Sequence, residues 1–275
     1  MKKTPILNID INSIKDFHKD RRFFDENEKT KIKYWSDGKN VYWLTSMISP
    51  YDESFVVYND IFAKNSKDCF MQNMKLKNVD CDSFKVLNHC FSKDNKYVWC
   101  IGGKFEPVDI STFDVCDDGF NKSLSDREVY FSDGSYSKIT KKISSGYAKD
   151  SKHVYCYDYS GKAVILKNAS PSTFVSNNDG NFGWDHQFVF FQKKMIKNAD
   201  AKTWKLLDIN EGFSHDATHV FRFDKQFVGA DVDTLKIFSF TNMKGSTFKF
   251  LKDKNGIFDE YGNRITLAEI ELKYN

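Results

Sequence analysis

Two histidines four residues apart, His215 and His219, have the spacing with which a helix turns two imidazoles toward one metal ion. Here they fall in a turn and the strand after it, where four residues need not converge, so no metal site is expected. Asp253-Lys254-Asn255-Gly256 opens like a calcium loop but lacks the later glycine spacing and the bidentate acid at position 12. Gly102-Gly103-Lys104 lacks the rest of a phosphate-binding loop. No Gly-x-Ser-x-Gly elbow occurs. The six cysteines, at 69, 81, 90, 100, 116 and 156, contain no CxxC pair. That spacing suits neither zinc nor a small disulfide scaffold and points to free thiols filling a core in a reducing compartment. An enzyme needs unlike groups converging on one spot. Nearly every eye-catching residue here recurs along the chain instead, so the expectation is a protein without catalytic residues and without a cofactor.

The recurrence identifies the elements that hold these residues. One phrase is Asp or Ser, two variable residues, Thr or Ser, then a large apolar residue. It reads Asp80-Cys81-Asp82-Ser83-Phe84, Asp109-Ile110-Ser111-Thr112-Phe113, Ser170-Pro171-Ser172-Thr173-Phe174, Asp200-Ala201-Lys202-Thr203-Trp204 and Asp231-Val232-Asp233-Thr234-Leu235. Asp10 to Ile14 fits it, and Ser49 to Phe55 fits with two extra residues. Asp and Ser accept from the free N–H groups of a starting turn. Each copy is therefore read as one helical or 3₁₀ turn that pins its aromatic into the core. The acids come one per unit, which favours capping over metal binding.

A second phrase is aromatic, small residue, variable residue, Asp, then Val beside an aromatic. Copies are Phe91-Ser92-Lys93-Asp94 with Val98-Trp99, Tyr147-Ala148-Lys149-Asp150 with Val154-Tyr155, Phe182-Gly183-Trp184-Asp185 with Val189-Phe190, and Phe213-Ser214-His215-Asp216 with Val220-Phe221. Asp at the junction of two apolar runs marks an Asx turn between strands. Hairpin signals at Gly102-Gly103, Ser160-Gly161 and Tyr261-Gly262 lead to a third short strand. Both phrases share a period near 30 residues, which predicts eight units starting near 10, 49, 80, 109, 140, 170, 200 and 231 in one β-repeat domain spanning 1–275. The cap due near Thr140 is missing from its degenerate stretch, and Arg21 to Lys33 reads as a loop insertion in the first unit.

The 26 Phe, 13 Tyr and 5 Trp suit pleated, half-buried surfaces. In the Val-aromatic strand both faces are apolar, so both are expected to be buried. The fold class is thus all-β, tandem units of short antiparallel strands. Propeller-like face-to-face packing is favoured, with an elongated or curved array as the alternative. No single unit buries enough apolar surface to fold alone, so stability must come from contacts between units.

The Lys-Asp phrase with its Val-aromatic pair, at Lys93-Asp94 with Val98-Trp99 and Lys149-Asp150 with Val154-Tyr155, resembles the bacterial DKNYY repeat family. Asn198-Ala199-Asp200 with Thr203-Trp204 completes the likeness, which covers most of residues 34–262. It implies a bacterial repeat scaffold that binds something, and carries over no catalytic residue.

The net charge of +3 gives no footprint for nucleic acid. No stretch of about 18 apolar residues offers a membrane span, and Asn8, Asp10 and Asn12 break any leader-like apolar run. The expectation is a cytoplasmic protein-binding scaffold, an immunity protein that binds and neutralises a toxin domain. Inhibitors of cationic toxins tend to be acidic, so a neutral or acidic toxin is the better match. The alternative is a structural or glycan-binding repeat protein. A specific partner must read residues that break the repeat. Those are Trp184 and His215, which stand where other units have Lys93 and Lys149, with His186, His219 and the irregular loop containing Asn178 and Asp179.

Overall fold

A computed structural model of the chain describes residues 33–105, 108–122 and 143–275 in full. It also gives the strands Thr4–Pro5, Leu7–Asn8, Arg127–Tyr130 and Tyr136–Ile139 as backbone. Among the described residues, seven sheets of four or five strands follow one another. The third sheet shows the pattern. Lys85–Val86, Phe91–Lys93, Val98–Cys100 and Gly103–Lys104 form an antiparallel meander in chain order. The cap phrase precedes the first strand, the Asp turn joins the second to the third, and the hairpin joins the third to the fourth. Each unit therefore has four strands, one more than its phrases suggest. The extra one follows the cap aromatic and is often only two residues long, too short to show a period of two.

The third strand explains why the units stack. Val154 shares an apolar cluster with Tyr147, Phe174 and Phe190, so it faces the next sheet. Tyr155 belongs to the cluster of the preceding sheet. Val189 packs forward with Phe221, and Val220 packs forward with Leu251 and Phe258. The Val-aromatic pair thus puts one residue on each neighbour, as its two apolar faces require. The small residue of the second strand has an equally physical reason. A Cβ on Gly183 would lie 2.5 Å from Cζ of Phe174, the cap aromatic of its own unit. Ala63, Ser92, Ala148 and Ser214 occupy the same slot, all fully buried.

The interval from Asp109 to Ser170, which spacing divides into two units, holds one sheet with an insertion. Asp114–Val115 pairs directly with Gly146–Lys149, followed by Val154–Tyr157 and Val164–Ile165. Between the first two lie two separate two-stranded ladders, Phe120–Asn121 with Ile143–Ser144 and Arg127–Tyr130 with Tyr136–Ile139. The unit starts expected near Asp10 and Thr140 lie outside the described residues, as does the expected insertion at Arg21 apart from Lys33. In the second unit the capping acid is Asp52. It accepts from the Ser54 N–H at 2.8 Å, whereas Ser49 belongs to the strand Ser46–Pro50.

Sequence reading predicted little helix beyond the cap turns. The caps are single hydrogen-bonded turns, and one α-helix follows the last sheet, Leu267–Tyr274. Its start is a reciprocal capping box between Thr266 and Glu269. Ile270 of this helix is fully buried against Phe250 and Ile257 of the seventh sheet. Leu251 and Phe258, on the other face of that sheet, pack on the sixth. The helix therefore covers the face that a further sheet would occupy. Among the described residues no sheet closes on itself, and the apolar clusters shared between successive sheets show them packed face to face.

Candidate functional site

In the second to seventh sheets the Asp or Asn turn and the cap turn lie together at one end, and the residues exposed there form a rim that runs from unit to unit. Asp216 shows how this end is built. Its Oδ1 accepts from the N–H groups of Thr218 at 2.8 Å and His219 at 2.6 Å, which closes the turn. Its Oδ2 accepts from the N–H of Asp200, the cap of the same unit, at 2.9 Å. The same stitch joins Asp80 to Asp94, Asp109 to Asp150, Ser170 to Asp185 and Asp231 to Asp253 at 2.7–2.8 Å. The cap hydroxyl makes a second stitch: Ser54, Ser83, Thr112, Thr173, Thr203 and Thr234 each accept the N–H that follows the turn Asp or Asn.

These carboxylates are buried, yet those of Asp150, Asp216 and Asp253 lie below the ordinary carboxylate value. At Asp216 burial pushes the pKa up, but the N–H donors outweigh it and hold it below the ordinary carboxylate value. At Asp253 the main cause is Arg264, whose two nitrogens grip both oxygens. The stretch that looks like a calcium loop thus has its acid already engaged by a guanidinium and two backbone N–H groups. His215 Nδ1 lies 2.9 Å from the Asp216 carbonyl oxygen, while His219 Nδ1 lies 3.3 Å from Asp216 Oδ2. Among the described residues no group of three His, Cys, Asp or Glu side chains could hold a metal ion.

The lysine before the Asp is also consumed internally. Lys93 Nζ donates to the carbonyls of Ile110 and Phe113 in the next cap, at 3.1 and 2.7 Å. Lys149 does the same to Pro171 and Phe174, and Lys64 reaches the Cys81 carbonyl. Trp184 takes this slot in the fifth sheet. It packs against Trp204 of the next cap, the rings tilted by 43° with centroids 5.5 Å apart. Its half-buried ring therefore joins two units.

The six expected partner-binding residues do not share one surface. Trp184, His186, His215 and His219 lie at the Asp-turn end. Asn178 and Asp179 lie in the turn between Val175–Ser176 and Phe182–Trp184, at the opposite end of the strands. Asp179 is fully buried, and its Oδ1 accepts from the N–H groups of Asn181 and Phe182. It cannot touch a partner. The loop is irregular because the insertion of the fourth unit docks on it. Asn178 accepts from the Asp118 N–H, Asp179 O accepts from the Lys122 N–H, and Asn121 and Asn181 exchange amide hydrogen bonds. Asp117 anchors the base of that insertion. It accepts from the N–H groups of Gly119 and Tyr147 and from the Ser176 hydroxyl, and burial pushes its carboxyl up to about 6.

Each turn also presents a pair of exposed residues after its Asp or Asn, some of which, such as Ser66, Ser151, His186, Thr218 and Lys254, touch their own cap or turn through the side chain. The pairs are Gly38-Lys39, Ser66-Lys67, Asn95-Lys96, Ser151-Lys152, His186-Gln187, Ala217-Thr218 and Lys254-Asn255. Sequence reasoning found His186 in this row and missed its neighbours, because only the fold shows that the seven turns share one end. The side chains change from lysine in the first four sheets to neutral residues in the fifth and sixth.

The DKNYY family model matches residues 1–137 and again residues 129–225. This chain belongs to the DKNYY family. No curated protein and no solved structure matches it. The repeat extends beyond the matched residues, for Asp231, Thr234, Asp253 and Lys254 rebuild the double stitch in the seventh sheet. No helix among the described residues is long and apolar enough to cross a membrane.

Proposed function

We propose that this DKNYY protein is a non-catalytic scaffold whose Asp-turn rim binds another protein, and that the partner is a toxin domain which it neutralises in the bacterial cytoplasm. One observation carries the reading. The polar residues that recur are used up in the stitches and struts of the array, while the exposed pair on each turn differs from sheet to sheet. A surface of fixed spacing and variable side chains suits recognition of one particular protein. Stacked sheets lie about 10 Å apart, so seven turns offer a contact line long enough for a partner domain. The neutral stretch at His186-Gln187 and Ala217-Thr218, beside half-buried His219, is the part of the rim least burdened by charge desolvation.

The test co-expresses the chain with the product of the adjacent gene. The expected result is rescue of growth and a copurifying complex. Gln187→Glu with Ala217→Glu, at exposed positions of the same two pairs, should weaken both while the melting temperature stays unchanged. Rescue without a complex would point to an indirect effect, and neither rescue nor complex would remove the toxin reading.

A further inference from the structure

In five units Val stands at or next to the start of the third strand, at 41, 98, 154, 189 and 220. The second residue of the next cap faces it from the following unit. Val98 with Ile110, Val189 with Ala201 and Val220 with Val232 each share an apolar cluster. At the junction of the second and third sheets both slots hold cysteine, Cys69 and Cys81. Cys69 begins the strand Cys69–Met71 and is fully buried; Cys81 is half-buried. Their sulfurs lie 2.6 Å apart, within about half an ångström of a disulfide bond length. Lys64 donates to the Cys81 carbonyl as Lys93 and Lys149 do at their own junctions, so the backbone on both sides has the usual repeat geometry.

We propose that Cys69 and Cys81 are a disulfide-forming pair that covalently locks the second sheet to the third. The oxidant is a small-molecule or protein disulfide. The half-buried Cys81 loses its proton and attacks that disulfide, releasing one thiolate, which takes up the proton. The Cys69 sulfur then attacks Cys81 Sγ in the mixed disulfide, releasing the second thiolate with the Cys69 proton. One S–S bond breaks and one forms; the cysteines are oxidised and the reagent is reduced to two thiols. Burial pushes both thiols up, so the exchange accelerates with rising pH. Of the other cysteines, Cys90, Cys100 and Cys156 are buried and Cys116 is half-buried, and the 12-residue spacing of the Cys69–Cys81 pair makes its crosslink local.

This inference does not rest on the toxin-binding reading. Full-length protein is treated with oxidised glutathione at mildly alkaline pH, quenched in acid, unfolded and alkylated, then digested for mass spectrometry. The expected product is a Cys69–Cys81 crosslinked peptide, an intact mass lower by two hydrogens, and a higher unfolding midpoint. Cys69→Val with Cys81→Ala rebuilds the pair found at Val189 and Ala201, so this variant should fold and show neither the mass change nor the shift. A mixed disulfide left unresolved on Cys81, a crosslink to any other cysteine, or an alkylated Cys69 after treatment would overturn the proposal.

Discussion

Asp216→Ala removes the acceptor of three backbone N–H groups at once, those of Asp200, Thr218 and His219. A hydrogen bond to a charged group contributes about 1.5–3 kcal/mol, and an orphaned buried donor costs about 1–3 kcal/mol. Ala217 and Thr218 are exposed, so water recovers part of the loss in the turn, and the expected cost is about 4 kcal/mol. Asp216→Asn is the informative comparison. The second unit carries Asn65 in this place, and its Oδ1 accepts from the Lys67 and Asp68 N–H groups. The substituted amide should keep the turn in the same way and set its own N–H against the Asp200 N–H, at about 2 kcal/mol. The pH dependence follows from the depressed carboxyl. Its contribution is present above the ordinary Asp range near 4 and fades as pH falls through the lower folded value. The gap between wild type and Asp216→Ala should therefore shrink in acid. Urea unfolding gives the cost, and hydrogen exchange at residues 200, 218 and 219 locates it. A loss under about 1 kcal/mol for Asp216→Ala, or exchange unchanged at the cap, would refute the stitch as a source of stability.

Gly183→Leu should cost about 1–3 kcal/mol by overpacking against Phe174, read as a lower unfolding midpoint. Lys149→Met should lose about 1–2 kcal/mol through its two carbonyl contacts in the next cap, and faster exchange around Phe174 would locate the loss. Asp117 has a raised carboxyl, near 6. Its contribution is whole below about 4 and is lost as pH rises through about 6, a change of about 2–3 kcal/mol. Asp117→Asn should flatten stability over that window, and an unaltered pH profile would contradict the assignment.

Much of the fold could be read from local chemistry. The Val-aromatic strand declared two buried faces, and the caps and Asx turns were visible as residue types at fixed offsets. What escaped the sequence was contact between distant residues. The 61 residues from Asp109 to Ser170 matched two periods by length alone, while the strand pairing of Asp114–Val115 with Gly146–Lys149 made them one sheet. Asn178 and Asp179 looked like a break left open for a partner, because nothing local revealed that Asn121 and Asp118 dock there. Trp184 could be read from the sequence either as an exposed anchor or as packed on the adjacent unit; the lysines of its slot are struts to the next cap, and the tryptophan makes the same connection. The capping helix did carry a legible signal, Thr266 three residues before Glu269, ahead of a run too short to announce itself by period.

The division of this chain into scaffold and rim is tested most directly by measuring the Kd of the purified chain for the adjacent gene's product, by calorimetry, with two variants in parallel. The account predicts that Gln187→Glu with Ala217→Glu raises Kd at least tenfold with an unchanged melting temperature. Asp216→Asn should lower the melting temperature and leave Kd unchanged wherever the protein is folded. A rim variant that binds as tightly as wild type, or a stitch variant that abolishes binding while fully folded, would contradict it.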